Sequence, residues 1–285
     1  MTPPLAGRRV LLVRPADEGR VEDRLLAALR AAGAQSVAVA STRFAPPADE
    51  AALARARAEL SAGGSWDWAV FTSPRAVTAL APAPTPIWPR LRVAAVGPVT
   101  AAALARAGQE TELALEAGGA AALGIALAPR LRSGARVLLP MGNLAAVELE
   151  AALVVAGAHP RRLEAYRTVP RPLSAADLAA LREPSDAIVF TSGSGAESIL
   201  ACLRDRGRTL PAAALIACLG PRTASDLAAL GLRVDVVSQA PGGAALVAAL
   251  AEALTGAVAS PVSPPLALER PPCSVDARHP TPRGT

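Results

Sequence analysis

The chain has 285 residues, 29 of them basic and 24 acidic, and it is 52% hydrophobic with an aromatic content of only 2%. Such a length suits two modest globular domains, with cores built largely from Ala, Leu and Val. Every basic residue is arginine, which excludes a lysine Schiff base, a pyridoxal-type anchor and the P-loop lysine that reaches nucleotide phosphates.

In chain order, residues 10–13 (VLLV) predict a strand, and the run after them predicts a helix ending near Gly33. Ser36 opens SVAVASTRFAP, a segment without helical period that predicts an extended strand up to Pro46. From Trp66, WDWAVFTSPRAVTAL predicts a short buried strand, a turn at Thr72-Ser73-Pro74 and a helix. From Val93, VAAVGPVTAAALARAG predicts a strand, a turn from Gly97 to Thr100 and a helix ending near Gly108.

The same grammar then recurs. VLLPMGNLAAVELEAALVVAGA from Val137 parallels VLLVRPADEGRVEDRLLAALRAAGA from Val10, and RRLEAYRTVP from Arg161 takes the place of the Ser36 segment. SDAIVFTSGSGAESIL from Ser185 repeats the VFTS turn, and IACLGPRTASDLAALG from Ile216 repeats the Gly-Pro-x-Thr turn. RVDVVSQAPGGAALVAAL likewise matches TELALEAGGAAALGIAL. The period is about 124 residues, and blocks matched in one order mark an internal duplication. Residues 255–285 hold seven prolines and little periodicity, which predicts a disordered tail.

Short apolar strands alternating with helices predict an α/β fold, each copy a doubly wound parallel sheet with helices on both faces. The equivalent segments 37–45 and 161–170 are expected to pair as a two-stranded connection between the copies. Ligands in such folds sit at the carboxyl ends of strands, so the turns are the places to look for function.

Small hydroxyl residues at Thr72, Ser73, Thr191 and Ser192 can cap the helices they precede, and the free N–H groups of a first helical turn favour an anion. Capping alone explains any one of these turns. Duplication, together with Gly97, Thr100, Gly193, Gly220 and Thr223, supports a second reading in which matched amide-rich turns line one cleft. Gly193-Ser194-Gly195 begins a dinucleotide fingerprint, but Ser198 stands where its third Gly belongs, and no acid follows at the strand end about 20 residues on. Tyr166 is the only tyrosine in the chain. Its phenol can lend a proton as a weak general acid, or it can simply pack on a half-buried strand with its hydroxyl in water. Arg14, Arg43 and Arg167 are either solvated charges or anion contacts.

Other chemistries find no support. Cys202, Cys218 and Cys273 lack C-x-x-C spacing and lie far from His159 and His279 in sequence, so neither a metal nor another cofactor is expected. Sparse cysteine without an apolar leader points to a reducing, cytoplasmic setting, and no apolar run reaches the roughly 18 residues of a membrane span. A formal charge of +5 with so few aromatic rings does not argue for a nucleic-acid partner.

Arg14-Pro15 at a strand end, the duplicated VFTS turns with Pro74-Arg75-Ala76-Val77 after the first, the turns ending in Thr100-Ala101 and Thr223-Ala224, and Tyr166 in EAYRTV together resemble the uroporphyrinogen-III synthase family over roughly residues 8–254. The resemblance implies two flavodoxin-like domains joined by a two-stranded ladder, with residues 1–36 packing with 171–254 and residues 46–160 forming the other domain. It implies a cofactor-independent enzyme, expected to be a monomer, that closes hydroxymethylbilane, a linear tetrapyrrole with eight carboxylates, into uroporphyrinogen III. Water leaves, and the last pyrrole is inverted through a spiro intermediate.

On this sequence the resemblance implies Tyr166 as the group that assists the departing hydroxyl. Arg14, Thr72, Ser73, Gly97, Thr100, Gly142, Ser192, Gly193, Gly220 and Thr223 are implied as substrate contacts. Two positions depart from the family pattern: Met141-Gly142-Asn143, with Ala146 and Val147 beyond it, stands where the family commonly has arginines, and Val13 stands where it usually has Thr. Those missing arginines keep a second class open, a non-catalytic module that binds a tetrapyrrole or other polyanion.

Overall fold

The computed structural model describes residues 2–16, 24–82, 88–116, 119–240 and 242–255; the predicted proline-rich tail from residue 256 onward lies outside the described residues. Strands and helices alternate as β1 (Arg9–Ala16), α1 (Arg24–Ala31), β2 (Gln35–Ala45), α2 (Glu50–Ala62), β3 (Trp68–Phe71), α3 (Pro74–Leu80), β4 (Arg92–Val96), α4 (Pro98–Arg106), β5 (Leu113–Leu115), α5 (Gly119–Leu127) and β6 (Arg136–Gly142). They continue as α6 (Glu148–Val155), β7 (His159–Pro170), α7 (Ala175–Arg182), β8 (Ala187–Phe190), α8 (Gly193–Arg204), β9 (Leu215–Cys218), α9 (Pro221–Ala229), β10 (Val236–Val237) and α10 (Gly243–Leu254).

The ten strands form one row in the order β10-β9-β8-β1-β2-β7-β6-β3-β4-β5. The duplicated blocks therefore do not fold as tandem blocks: β1 and β2 join β8–β10, while β3–β7 stay together. Numbered from β1 the first set reads 2-1-3-4-5, and numbered from β6 the second set reads the same, so the repeat maps strand onto strand with a circular shift. Neighbours within each set are parallel, and the sets meet in the antiparallel pair β2–β7.

That junction is short. Only Thr42–Ala45 and Arg167–Pro170 pair across it, the last four residues of each strand. Below the overlap β2 is a partner of β1, and β7 a partner of β6. Because the strands overlap only at their tips, over roughly 14 Å at the usual rise per residue, both parallel sets aim their carboxyl ends toward the junction.

Each central strand is buried on both faces, as parallel sheets covered by helices require. Along β1, Leu11 and Val13 pack with α7, α8 and α9, while Val10 and Leu12 pack with α1 and α10. In the other set, Ala69 and Phe71 of β3 face α2, α3 and α4, while Trp68 and Val70 face α5 and α6. Five of the seven aromatic rings, the three tryptophans with Phe71 and Phe190, are buried in this interior, Phe71 stacking on Trp88 with centroids 5.9 Å apart. The four core clusters draw separately on the two sets.

A polar clamp secures the chain where it leaves β7. Arg171 Nη1 donates to Ala40 O (2.8 Å) and to Asp177 Oδ2 (2.9 Å). Asp177 also accepts from Ser174 N, Ser174 Oγ and Ala40 N, which closes a capping box on α7. Burial alone pushes this carboxyl up, but hydrogen bonds from Ser174, Arg171 and Ala40 outweigh it and hold the carboxyl below its ordinary value of 3.8.

A carboxyl with a depressed folded value contributes stability that is complete above its unfolded value and is lost as pH falls through the folded one. We expect Asp177→Asn to cost about 1–3 kcal/mol near pH 7, the scale of a broken buried charged hydrogen-bond set. In urea unfolding the gap to the parent chain should shrink as pH is lowered below the ordinary value of 3.8.

Candidate functional site

In a 2-1-3-4-5 sheet the switch point lies between its first and third strands, and ligands bind outside the carboxyl ends there. The two switch points are β1/β8 and β6/β3. At the first stand Arg14, near the end of β1, and Thr191-Ser192-Gly193 after β8. At the second stand Gly142, ending β6, and Thr72-Ser73 after β3. Gly220, after β9, and Gly97, after β4, lie one strand further out in each set.

Around β6/β3 the structure brings three of the predicted residues into contact. Tyr166 Oη donates to Ser73 Oγ at 3.3 Å. Ser73 Oγ also accepts from Arg75 N, which caps α3. The tyrosine ring lies over Gly142, where an added Cβ would meet Cζ at 2.8 Å and Oη at 3.0 Å; only a residue without a side chain admits the ring here. Phe44, on the tip of β2, meets the Tyr166 ring edge-on with centroids 5.9 Å apart, and the Arg75 guanidinium covers Phe44 at 3.4 Å. One aromatic ring from the first set thus packs on the proposed proton donor of the second. Phe44, Arg75 and Tyr166 share the wall of an open groove of about 720 Å³ with Pro46, Pro47 and Pro74. A larger groove of about 910 Å³, lined by Arg204, Arg208 and Arg233, lies beside the start of β9 and the end of α9. That is the opposite end from the strand-end turns, so we do not assign the site to it.

Around β1/β8, Thr191 N and Thr191 Oγ1 both donate to Val13 O at 3.2 Å, tying this turn to the end of β1 beside Arg14. Ser192 Oγ accepts from Gly195 N and caps α8. Ser41 of β2 reaches the same helix, donating to Gly195 O and accepting from Ser198 Oγ. Gly193 is buried, and a Cβ there would meet Asp226 Cβ at 2.4 Å, so close packing of α8 on α9 accounts for this glycine.

The two Gly-Pro-x-Thr turns match in sequence but not in backbone. Gly97 sits at φ 80°, in the region that favours glycine, whereas Gly220 at φ 175° is fully extended. Neither caps its helix through a side chain, and each helix opens on a proline, Pro98 or Pro221, so only the N–H groups after it are left without a side-chain cap. Thr100, in the first turn of α4, is only 3% exposed. Thr223 is half-buried. Arg43 is exposed on β2, and Arg167 is 3.6 Å from Glu164. Among the described residues no group of three or more His, Cys, Asp or Glu side chains is placed to hold a metal ion, and no helix is long and apolar enough to cross a membrane.

The fold and these turns define a paired α/β protein whose two switch points both lie at the strand ends that face the junction. The family model described as uroporphyrinogen-III synthase HemD matches residues 23–248, and the chain belongs to that family. Its fold is similar to a crystal structure of a mutant uroporphyrinogen III synthase from the extremely thermophilic bacterium Thermus thermophilus, with a TM-score of 0.57 at 20% identity, covering 87% of this chain and 99% of that one. It is also similar to the uroporphyrinogen-III synthetase from Helicobacter pylori, with a TM-score of 0.56 at 16% identity, covering 85% and 97%. No curated protein matches the chain significantly.

The contacts of Phe44 and Asn143 escaped the sequence reading, because neither residue type advertises chemistry and their partners lie distant in sequence. The packing at the β1/β8 turn is directly testable. Gly193→Ala should destabilise the chain by about 1–3 kcal/mol, as overpacking does, measured as a shift of the urea midpoint.

Proposed function

We propose that the chain catalyses closure of hydroxymethylbilane to uroporphyrinogen III with loss of one water, and that it does so in the space between the two sets of strand ends. The observation that carries this reading is the contact of Tyr166 with Ser73 and Gly142 at one switch point, within a member of the uroporphyrinogen-III synthase family. The two sets act as two flavodoxin-like domains, residues 1–36 with 171–254 and residues 46–160, bridged by the ladder of 37–45 and 161–170. Their shared strand order and separate cores support that division.

The substrate's pyrroles are electron-rich, so the reaction needs little covalent help from the protein. Tyr166 lends its phenolic proton to the departing hydroxyl, which leaves as water, and the proton is recovered when the last pyrrole re-aromatises after inversion. Ser73, held 3.3 Å from the phenol oxygen, orients it. Carboxylates of the substrate are bound by Arg14, by Thr72 and Ser192, by the Gly142 loop, and by the open amides that follow Gly97 and Gly220, with Gly193 keeping the Ser192 turn close-packed. At the Gly97 turn the backbone rather than Thr100 does this, since that side chain is buried, while Thr223 keeps its hydroxyl available. Holding the chain ends of the tetrapyrrole from two sides is what favours inverted over simple closure. We further propose a cytoplasmic monomer that acts on this small molecule without a cofactor and engages neither nucleic acid nor membrane.

Purified protein given freshly made hydroxymethylbilane should yield the type III isomer on chromatographic separation, and product of type I alone would refute the reading. Tyr166→Phe should lower turnover about a hundredfold, the usual scale for loss of a general acid, with an unchanged far-ultraviolet circular dichroism spectrum.

A further inference from the structure

The Tyr166 ring does not lie over Gly142 by side-chain packing alone; the backbone of β7 is re-aimed to put it there. β6 and β7 pair residue for residue from Arg136↔His159 to Met141↔Glu164, and then Gly142 pairs with Tyr166, skipping Ala165. This is a β-bulge, and a bulge turns the side chain that follows it. A strand bent in this way leaves its next polar groups without the ordinary ladder partners.

Asn143 supplies them. Its backbone N–H donates to Tyr166 O at 3.2 Å. Its side-chain Oδ1 accepts from Thr168 N at 2.8 Å, and its Nδ2 donates to Thr168 O at 3.3 Å. The side chain thus stands in for the next peptide unit of β6, and its three bonds run along the strand from Tyr166 to Thr168. Few side chains can do this. Asp lacks the donor, Ser cannot present both a donor and an acceptor in one plane, and Gln is longer by a methylene. In the other set β1 and β2 make the same skip, Arg14 pairing with Ala40 and Pro15 with Thr42, but Ala16 stands where Asn143 does.

We propose that Asn143 is a positioning residue for Tyr166, locking the bulge that holds the phenol over Gly142 and within reach of Ser73. Asn143 touches no reacting atom; it acts through the strand. The functional half of this inference rests on the reading of Tyr166 as proton donor, and the positional half stands without it.

Both halves are testable on the full chain. Because Tyr166 is the only tyrosine, protein grown with ring-¹³C tyrosine reports this one ring in an NMR spectrum. We expect Asn143→Ala to shift and broaden the ring signals and to lower kcat for type III product about tenfold, with KM changed less than about twofold, an effect within the range for a misplaced catalytic group. Placed in the Tyr166→Phe background, the same substitution should change kcat by less than about twofold, since there is no proton donor left to misplace. Asn143→Asp keeps the bond from Thr168 N and loses the one to Thr168 O; it should shift the ring less, and it serves if the alanine variant does not fold. Unchanged ring signals in the folded variant, or an equal slowdown with and without the phenol, would overturn the proposal. If the parent chain makes no type III isomer, the functional reading fails while the ring signals still decide whether Asn143 places the tyrosine.

Discussion

Four residues at the tip of β2, paired antiparallel with four at the tip of β7, hold the two sets of parallel strands in one row. The rest of the arrangement follows from the shortness of that overlap. A long antiparallel pairing would lay the sets side by side with their carboxyl ends at opposite edges of a sheet. A tip-to-tip pairing turns those ends toward one another, and the carboxyl end is where a parallel α/β sheet carries its loops and its open helix termini. Thin as it is, the junction is reinforced by polar and aromatic contacts. Arg171 and Asp177 pin the exit from β7 to Ala40 of β2, and Phe44 crosses from the first set to pack on Tyr166 of the second.

The same tyrosine is where the two sets of constraints meet. Its backbone belongs to the strand that forms the junction, its ring occupies the space left by Gly142, and its hydroxyl reaches the serine that caps α3. Displacement of the junction therefore displaces the phenol. The absence of lysine and the scarcity of rings fit this picture. Arginine charge is permanent and favours the approach of anions in general, and the one phenol stands at the junction.

Much of this was legible in the sequence, and the reasons for what was not are physical. Strands such as residues 10–13 and 93–96 could be read because both faces are buried and their apolar runs are continuous, and the turns could be read because Gly, Pro, Ser and Thr mark them in both copies. The strand pairing β1–β8 could not be read from the repeat, because duplication fixes which segments are alike and not which ones become neighbours; the family resemblance supplied that crossing. The candidate turns were legible in the sequence, and the contacts between them were not. Thr100 looks like its counterpart Thr223 in sequence, yet one is buried in α4 and the other is half-buried, and Gly97 and Gly220 differ in backbone at matched positions. Asn143 was invisible because its role depends on a skipped residue in β7, a register detail with no local signature.

The central claim is that the two sets of strand-end turns act together on one ligand. Amide hydrogen exchange on the full chain, with and without uroporphyrinogen III kept reduced, tests it most directly. Slowed exchange is expected in both sets at once, at Ser73, Arg75 and residues 99–101 on one side and residues 192–195 and 222–224 on the other, with matching protection along 42–45 and 167–169. Protection confined to one set, with the other unaffected at saturating ligand, would contradict it.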